Sequence, residues 1–221
     1  MRLYEKYAPT RLADVVGQPC VRQLRALVRN PYPCCVLLEG PPGVGKTASA
    51  YALADELGCV DEWSGRLMVN ASDMGIAYVR DLFERSLRLV PLTGRNGWYV
   101  VILEELETLS PPTQTFLKTT LEKNLPRRTI VVACSNDPSR LSKPLLQRFK
   151  RYRFSSGVTF AAEAYERLKA IWAVESGGAP LPGGWDLMGW DDTEFSLRLA
   201  LDAMQDALDM LDGPDGLALA A

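Results

Sequence analysis

The chain has 221 residues, 47% of them apolar, and a net charge of −2, which suffices for a real hydrophobic core and excludes a disordered tail. It contains no histidine, so any acid–base chemistry falls to carboxylates, and a slightly acidic chain that binds nucleic acid must do so through a local basic patch or through assembly. No apolar run approaches the ~20 residues of a membrane span, and Met1-Arg2-Leu3-Tyr4-Glu5-Lys6 lacks the apolar centre of a signal peptide, which points to the cytoplasm and away from a membrane.

Cys20, Cys34, Cys35, Cys59 and Cys134 form no C-x-x-C pair. Three lie in apolar runs, so they read as small core residues, not as a metal site or a disulfide framework.

In chain order, residues 4–18 read as an extended leader, followed by a helix over about 20–29. The run Cys34-Cys35-Val36-Leu37-Leu38 reads as a buried strand. It leads into Gly40-Pro41-Pro42-Gly43-Val44-Gly45-Lys46-Thr47, which fits G-x-x-x-x-G-K-[ST] and opens into a helix from Ala48 to Leu57, with Gly58 as its stop. Glycines let the backbone take positive φ and turn its N–H groups inward, so that a nest of donors and a helix N-terminus face the phosphates of a nucleotide. Lys46 brings a positive charge to those phosphates and the Thr47 hydroxyl can ligate Mg²⁺. A glycine-rich turn without a ligand is the bland alternative, and the strand–loop–helix context weighs against it.

A short strand, Leu67-Met68-Val69, runs into Asn70-Ala71-Ser72-Asp73 and then Gly75 to Arg80. Further on, Trp98-Tyr99-Val100-Val101-Ile102-Leu103 is a strand that ends in Glu104 and Glu105. One carboxylate at such an end can hold the metal shell and the next can polarise an attacking water. Apolar strands ending in acids are common, but this one follows a phosphate loop. A helix over 113–122 and a strand over 129–134 come next, the strand delivering Ser135 and Asn136. Arg148, Lys150, Arg151 and Arg153 then form a basic run. From Thr159 the pattern is helix alone: residues 160–175 and 194–211, separated by a loop over 176–190 that carries Gly177, Gly178, Pro180, Pro182, Gly183 and Gly184. The expected fold is α/β: a core of five parallel strands over residues 1–155, a small helical lid over 156–212 and a frayed tail over 213–221.

These motifs, taken in order, resemble the AAA+ clamp loader ATPases, above all replication factor C small subunits, over nearly the whole chain. The leader Glu5-Lys6-Tyr7-Ala8-Pro9 followed by Leu12, Asp14, Val15, Val16 and Gly17 is similar to the family's adenine-pocket leader, with Ala8 where arginine is usual. The resemblance implies that Tyr7, Pro9, Val15 and Val16 wall the base and that residues 40–48 hold the phosphates of ATP. The strand ending in Glu104 and Glu105 stands where the family writes D-E-A-D, so Glu105 keeps the water-activating position while Glu104 replaces the metal-side aspartate. The resemblance makes Asn136 the sensor that touches the γ-phosphate or the water, Arg198 a second sensor in the lid, and Arg148 an arginine finger for a neighbouring subunit. Arg148 also reads as an ordinary surface arginine. The helix bearing Arg80 is similar to the one that faces DNA in the family, against the plainer reading of a solvated face with Arg80, Arg85 and Arg88 at helical spacing.

The implied function is a Mg²⁺-dependent, slow and assembly-dependent ATPase that loads a sliding clamp or remodels a complex on primer-template DNA in replication or repair. Its partners would be other clamp-loader-type subunits or copies of itself. The alternative is an ATP-binding assembly or stator subunit that hydrolyses little, favoured by Glu104 and by the reduced lid. Family members continue into a third helical collar domain, before which this sequence stops, so the expectation is a monomer that oligomerises when ATP is added.

Overall fold

The expected strands form one parallel sheet. The computed structural model describes residues 1–84, 87, 97–191 and 194–211. In it β1 (Cys34–Glu39), β2 (Arg66–Asn70), β3 (Tyr99–Glu104), β4 (Thr129–Ser135) and β5 (Lys150–Arg153) stand in the order β2-β3-β4-β1-β5, each neighbouring pair parallel. Val100 to Leu103 and Ile130 to Ala133 are wholly buried. Such unbroken apolar strands are what a sheet covered on both faces requires.

Side chains alternate between those faces. Val36, Leu38, Val100, Ile102, Ile130 and Val132 belong to one apolar cluster, and Leu37, Val101, Leu103, Val131 and Ala133 to the other. The first cluster also takes in Leu24 of α2 (Val21–Arg29), Leu53 of α3 (Lys46–Glu56), Leu168 of α7 (Val158–Glu175) and Met204 of α8 (Leu197–Leu211). The second takes in Phe83 of α4 (Ile76–Glu84), Leu117 of α5 (Pro111–Lys123) and Leu145 of α6 (Lys143–Leu146). The two C-terminal helices therefore share a core with one face of the sheet.

Three local differences from the sequence expectations have physical causes. The leader is not simply extended: it contains α1 (Leu3–Lys6) and a 3₁₀ turn, Leu12–Asp14. Leu3 and Leu12 are buried, the Leu3 N–H donates to Gln205 Oε1 at 3.2 Å, and the Leu12 N–H donates to Glu56 Oε1 at 2.6 Å. The leader thus straps α8 and α3 together. Secondly, β5 hides in the basic run because only Tyr152 of its four residues is buried. Finally, the C-terminal region is not helix alone. An antiparallel pair, β6 (Trp190–Asp191) and β7 (Glu194–Phe195), precedes α8, which begins at Leu197 and not at residue 194. Phe195 is withdrawn from the helix to fill an aromatic cluster with Phe160, Tyr165 and Trp190, ring centroids 5.2–5.7 Å away.

Arg85, Arg88 and the tail over 213–221 lie outside the described residues. Among the described residues no helix is long and apolar enough to cross a membrane.

Candidate functional site

After β1 the chain turns to α3 on one sheet face, and after β4 it turns to α6 on the other. A crevice opens at the carboxyl ends of strands where neighbouring connections diverge in this way. Residues 40–45 occupy it. Gly43 and Gly45 have φ of +74° and +93°, and Gly45 is the N-cap of α3. At Gly43 conformation and space agree: a Cβ would lie 1.9 Å from Ser196 Oγ, and the Gly43 carbonyl accepts from the Leu197 N–H at 3.1 Å. The start of α8 thus rests directly on the loop. Gln18, also buried, fixes the loop from behind: its amide donates to Val44 O at 3.3 Å and Ser155 O at 2.9 Å, and accepts from Ser155 N at 2.9 Å.

Lys46 is only 6% exposed. Its ammonium donates to three uncharged oxygens: Gly40 O at 2.8 Å, Pro41 O at 2.6 Å and Asn136 Oδ1 at 2.8 Å. Burial, reinforced by Arg198 and opposed by Cys134 and Glu107, pulls its pKa down to about 8. A desolvated cation with no carboxylate bonded to it favours an incoming anion. Asn136 is held from its other end, its N–H donating to Glu107 Oε1 at 3.0 Å, and Glu107 is itself buried at the position after Leu106.

Glu104 closes β3, and Glu105 follows in the left-handed region at φ +53°. A side-chain-bearing residue held there costs about 1–3 kcal/mol and needs neighbours that impose it. Here the Thr108 N–H and hydroxyl both donate to Glu105 O at 2.8 Å, while Asn70 Nδ2 donates to Glu105 Oε2 at 3.2 Å. The turn swings the second carboxylate out of strand geometry and off the sheet.

These groups face one cleft of about 390 Å³. Pro42 to Ala48, Glu104, Glu105, Asn136 and Arg198 line it, together with the largely apolar Tyr7, Pro9, Val15 and Val16. Gly40 and Pro41, also read from sequence as phosphate-binding, do not line it; their carbonyls accept from Lys46. Two residues of the sequence reading lie elsewhere. Arg148, after α6, pairs with Glu122 Oε2 of α5 at 3.1 Å, and its buried Nε has no hydrogen-bond partner. Arg80 on α4 lies 5.2 Å from the Phe116 ring centroid of α5.

The site also uses residues that the sequence reading does not assign to it. Phe160, Arg167, Ile171, Leu197 and Leu201 bring α7 and α8 into the wall, and Asn70, Glu107 and Gln18 brace it. The signal for the first group is the i, i+4 spacing of Arg167 with Ile171 and of Leu197 with Leu201. For the bracing polar residues no sequence signal exists, because their partners, the Glu105 side chain for Asn70 and backbone groups for Glu107 and Gln18, lie far along the chain.

A hard divalent cation fits the donors present. Thr47 and Glu104 offer two oxygens at the cleft, and among the described residues no group of three or more His, Cys, Asp or Glu gathers. Mg²⁺ suits such a site, since it keeps several waters and takes one or two protein oxygens beside the phosphates of its nucleotide.

Residues 36–156, from β1 to just before α7, match the family described as "ATPase family associated with various cellular activities (AAA)". The chain belongs to the AAA family. Among curated relatives, the replication factor C small subunit of Methanocella arvoryzae is 38% identical to this AAA chain over 152 residues, covering 68% of it and 47% of the relative. That of Thermofilum pendens is 31% identical over 205 residues, covering 92% and 61%. This AAA chain therefore spans about half to three-fifths of the length of these relatives. In fold it is similar to the RuvB Holliday junction branch migration motor of Thermotoga maritima, with a TM-score of 0.72, 20% identity and coverage of 97% of this chain and 68% of that one.

Proposed function

We propose that the cleft binds Mg²⁺-ATP and that the chain hydrolyses it as a clamp-loader-type subunit, coupling the nucleotide cycle to the loading of a sliding clamp, or the remodelling of a complex, on primer-template DNA. The observation that carries this is the convergence of Lys46, Asn136, Glu104, Glu105 and Arg198 on one cleft that Tyr7, Pro9, Val15 and Val16 also line, while Arg148 stands outside it, paired with Glu122. In this reading residues 1–155 are the ATPase core and 156–212 the lid, and the nucleotide lies between them.

Each residue has a task. The loop N–H groups and Lys46 take the phosphates, and Lys46 exchanges its carbonyl partners for them. Tyr7, Pro9, Val15 and Val16 pack on the base. Thr47 and Glu104 would hold Mg²⁺, which neutralises charge on the transferred phosphoryl group. Glu105, pinned by Asn70, orients the attacking water and accepts its proton. Asn136, fixed by Glu107, keeps its amide beside the reacting oxygens, and Arg198 adds charge from the lid. Arg148 serves a neighbouring subunit of this or a related chain, and Arg80 meets DNA phosphate when several α4 helices line one channel.

Isothermal titration of ATP with Mg²⁺, followed by steady-state hydrolysis with DNA and a sliding clamp present, tests the reading. Binding with turnover that Lys46→Ala abolishes is the expected result. Tight binding without turnover under all those conditions would favour the stator reading, for which the extra methylene of Glu104 is the structural motive.

A further inference from the structure

Glu175, the last residue of α7, stands outside the nucleotide cleft, yet it is bonded to the cleft wall. Its side chain is 16% exposed. The carboxylate accepts a hydrogen bond from the Tyr7 hydroxyl and two from Lys6 Nζ, at 2.8 and 2.9 Å. Those bonds from Lys6 and Tyr7 hold Glu175 below the usual carboxylate range, and the bond to Glu175 pushes the Tyr7 hydroxyl up. Tyr7 itself lines the cleft beside Ala8 and Pro9. The Arg167 guanidinium, two helical turns before Glu175, lies 5.9 Å from the centroid of the same ring.

The consequence follows from what each contact can do. Lys6 is 44% exposed, and an ion pair of that exposure contributes little by itself. A hydrogen bond from a phenol to a carboxylate is charge-assisted and directional, and it fixes the one end of the ring that rotates out when the side chain changes rotamer. Hydrogen bonds tie the leader to the C-terminal helices at two places, from the Leu3 N–H to Gln205 of α8 and from Lys6 and Tyr7 to this carboxylate of α7. We propose that Glu175 is a positioning residue for base recognition: through Tyr7 it holds the wall on which the base packs, and so sets affinity for the base-bearing part of the nucleotide and not for its phosphates. This rests on the reading of the cleft as an ATP site.

The test measures dissociation constants for Mg²⁺-ATP and for Mg²⁺-tripolyphosphate, which has no base, in the full chain. Glu175→Ala and Tyr7→Phe should each weaken ATP by about tenfold while leaving tripolyphosphate within about twofold. The double variant should be no weaker than the poorer single one, because both remove the same bond. Glu175→Gln, whose amide oxygen still accepts from the phenol, should stay within about threefold of the parent. Equal weakening of both ligands would show a purely structural contact and overturn the proposal, as would parental ATP affinity in Glu175→Ala. A parent chain that binds tripolyphosphate but gains nothing from the base overturns it too. A parent that binds neither ligand overturns the reading of the cleft itself, which is a distinguishable failure.

Discussion

The fold treats the two cations proposed for phosphate, Lys46 and Arg148, in opposite ways. Lys46 is buried in the phosphate loop with three uncharged oxygens and a pKa pulled down to about 8. Arg148 is about one-third exposed and already bonded to a carboxylate, Glu122, which also holds Lys118 at 2.9 Å. One cation is desolvated and bonded only to uncharged oxygens; the other is bonded to its counter-charge and keeps contact with water. A group that must bind an anion within its own subunit can be pre-organised in a dry site, because the loop carbonyls replace solvent until the ligand arrives. One that must reach across an interface has to rest somewhere in the free subunit, and a surface carboxylate is a resting place that costs little to leave.

Removing the exposed cation tests this contrast with the largest expected effect. In an assembled state Arg148→Ala should lower turnover by about 10³–10⁵ while leaving ATP affinity intact, whereas Lys46→Ala should lose affinity itself. Titration calorimetry beside steady-state rates separates the two. Next in size, Glu105→Gln should cut hydrolysis by about 10²–10⁴ and leave ATP trapped, measured as retained radiolabelled nucleotide after rapid desalting.

The pKa of Lys46 sharpens the contrast further. In the free site the lysine loses its proton as pH rises through about 8, and a bound triphosphate restores the charged form, so binding takes up a proton above that pH. ATP affinity should therefore be flat below about pH 8 and fall roughly tenfold per pH unit above it. Calorimetry in buffers of different ionisation enthalpy reads the proton directly. The smallest effects concern Glu104 and Arg80. Glu104→Asp should raise turnover several-fold by shortening the reach to the metal shell, and lower turnover would mean the pocket is built around glutamate. Arg80→Ala should reduce the salt slope of DNA binding by about one per subunit engaged, and an unchanged slope would leave Arg80 as a partner of Phe116 alone.

Sequence legibility followed the same division between local and distant causes. The phosphate loop, β3 with its two glutamates, and Asn136 at the end of β4 could be read because each is a contiguous pattern whose geometry is local. The central strands were readable as unbroken apolar runs. β5 was not, since an edge strand with one buried residue carries no apolar period, nor was the β6–β7 pair, where tertiary packing of Phe195 overrides the helical pattern around it. Gln18, Glu107 and Glu175 were illegible for a deeper reason. Each matters through a partner 29 to 168 positions away, and a polar residue that braces a distant group looks in one dimension like any other surface residue.

The claim that Lys46 and Arg148 serve one reaction from two subunits is tested most directly by mixing. Lys46→Ala chains, which retain Arg148, and Arg148→Ala chains, which retain the phosphate loop, should each be inactive alone. Combined under conditions where sedimentation shows mixed oligomers, they should recover ATP turnover, because some interfaces then join an intact loop to an intact arginine. Mixed oligomers with no recovered turnover would contradict the account.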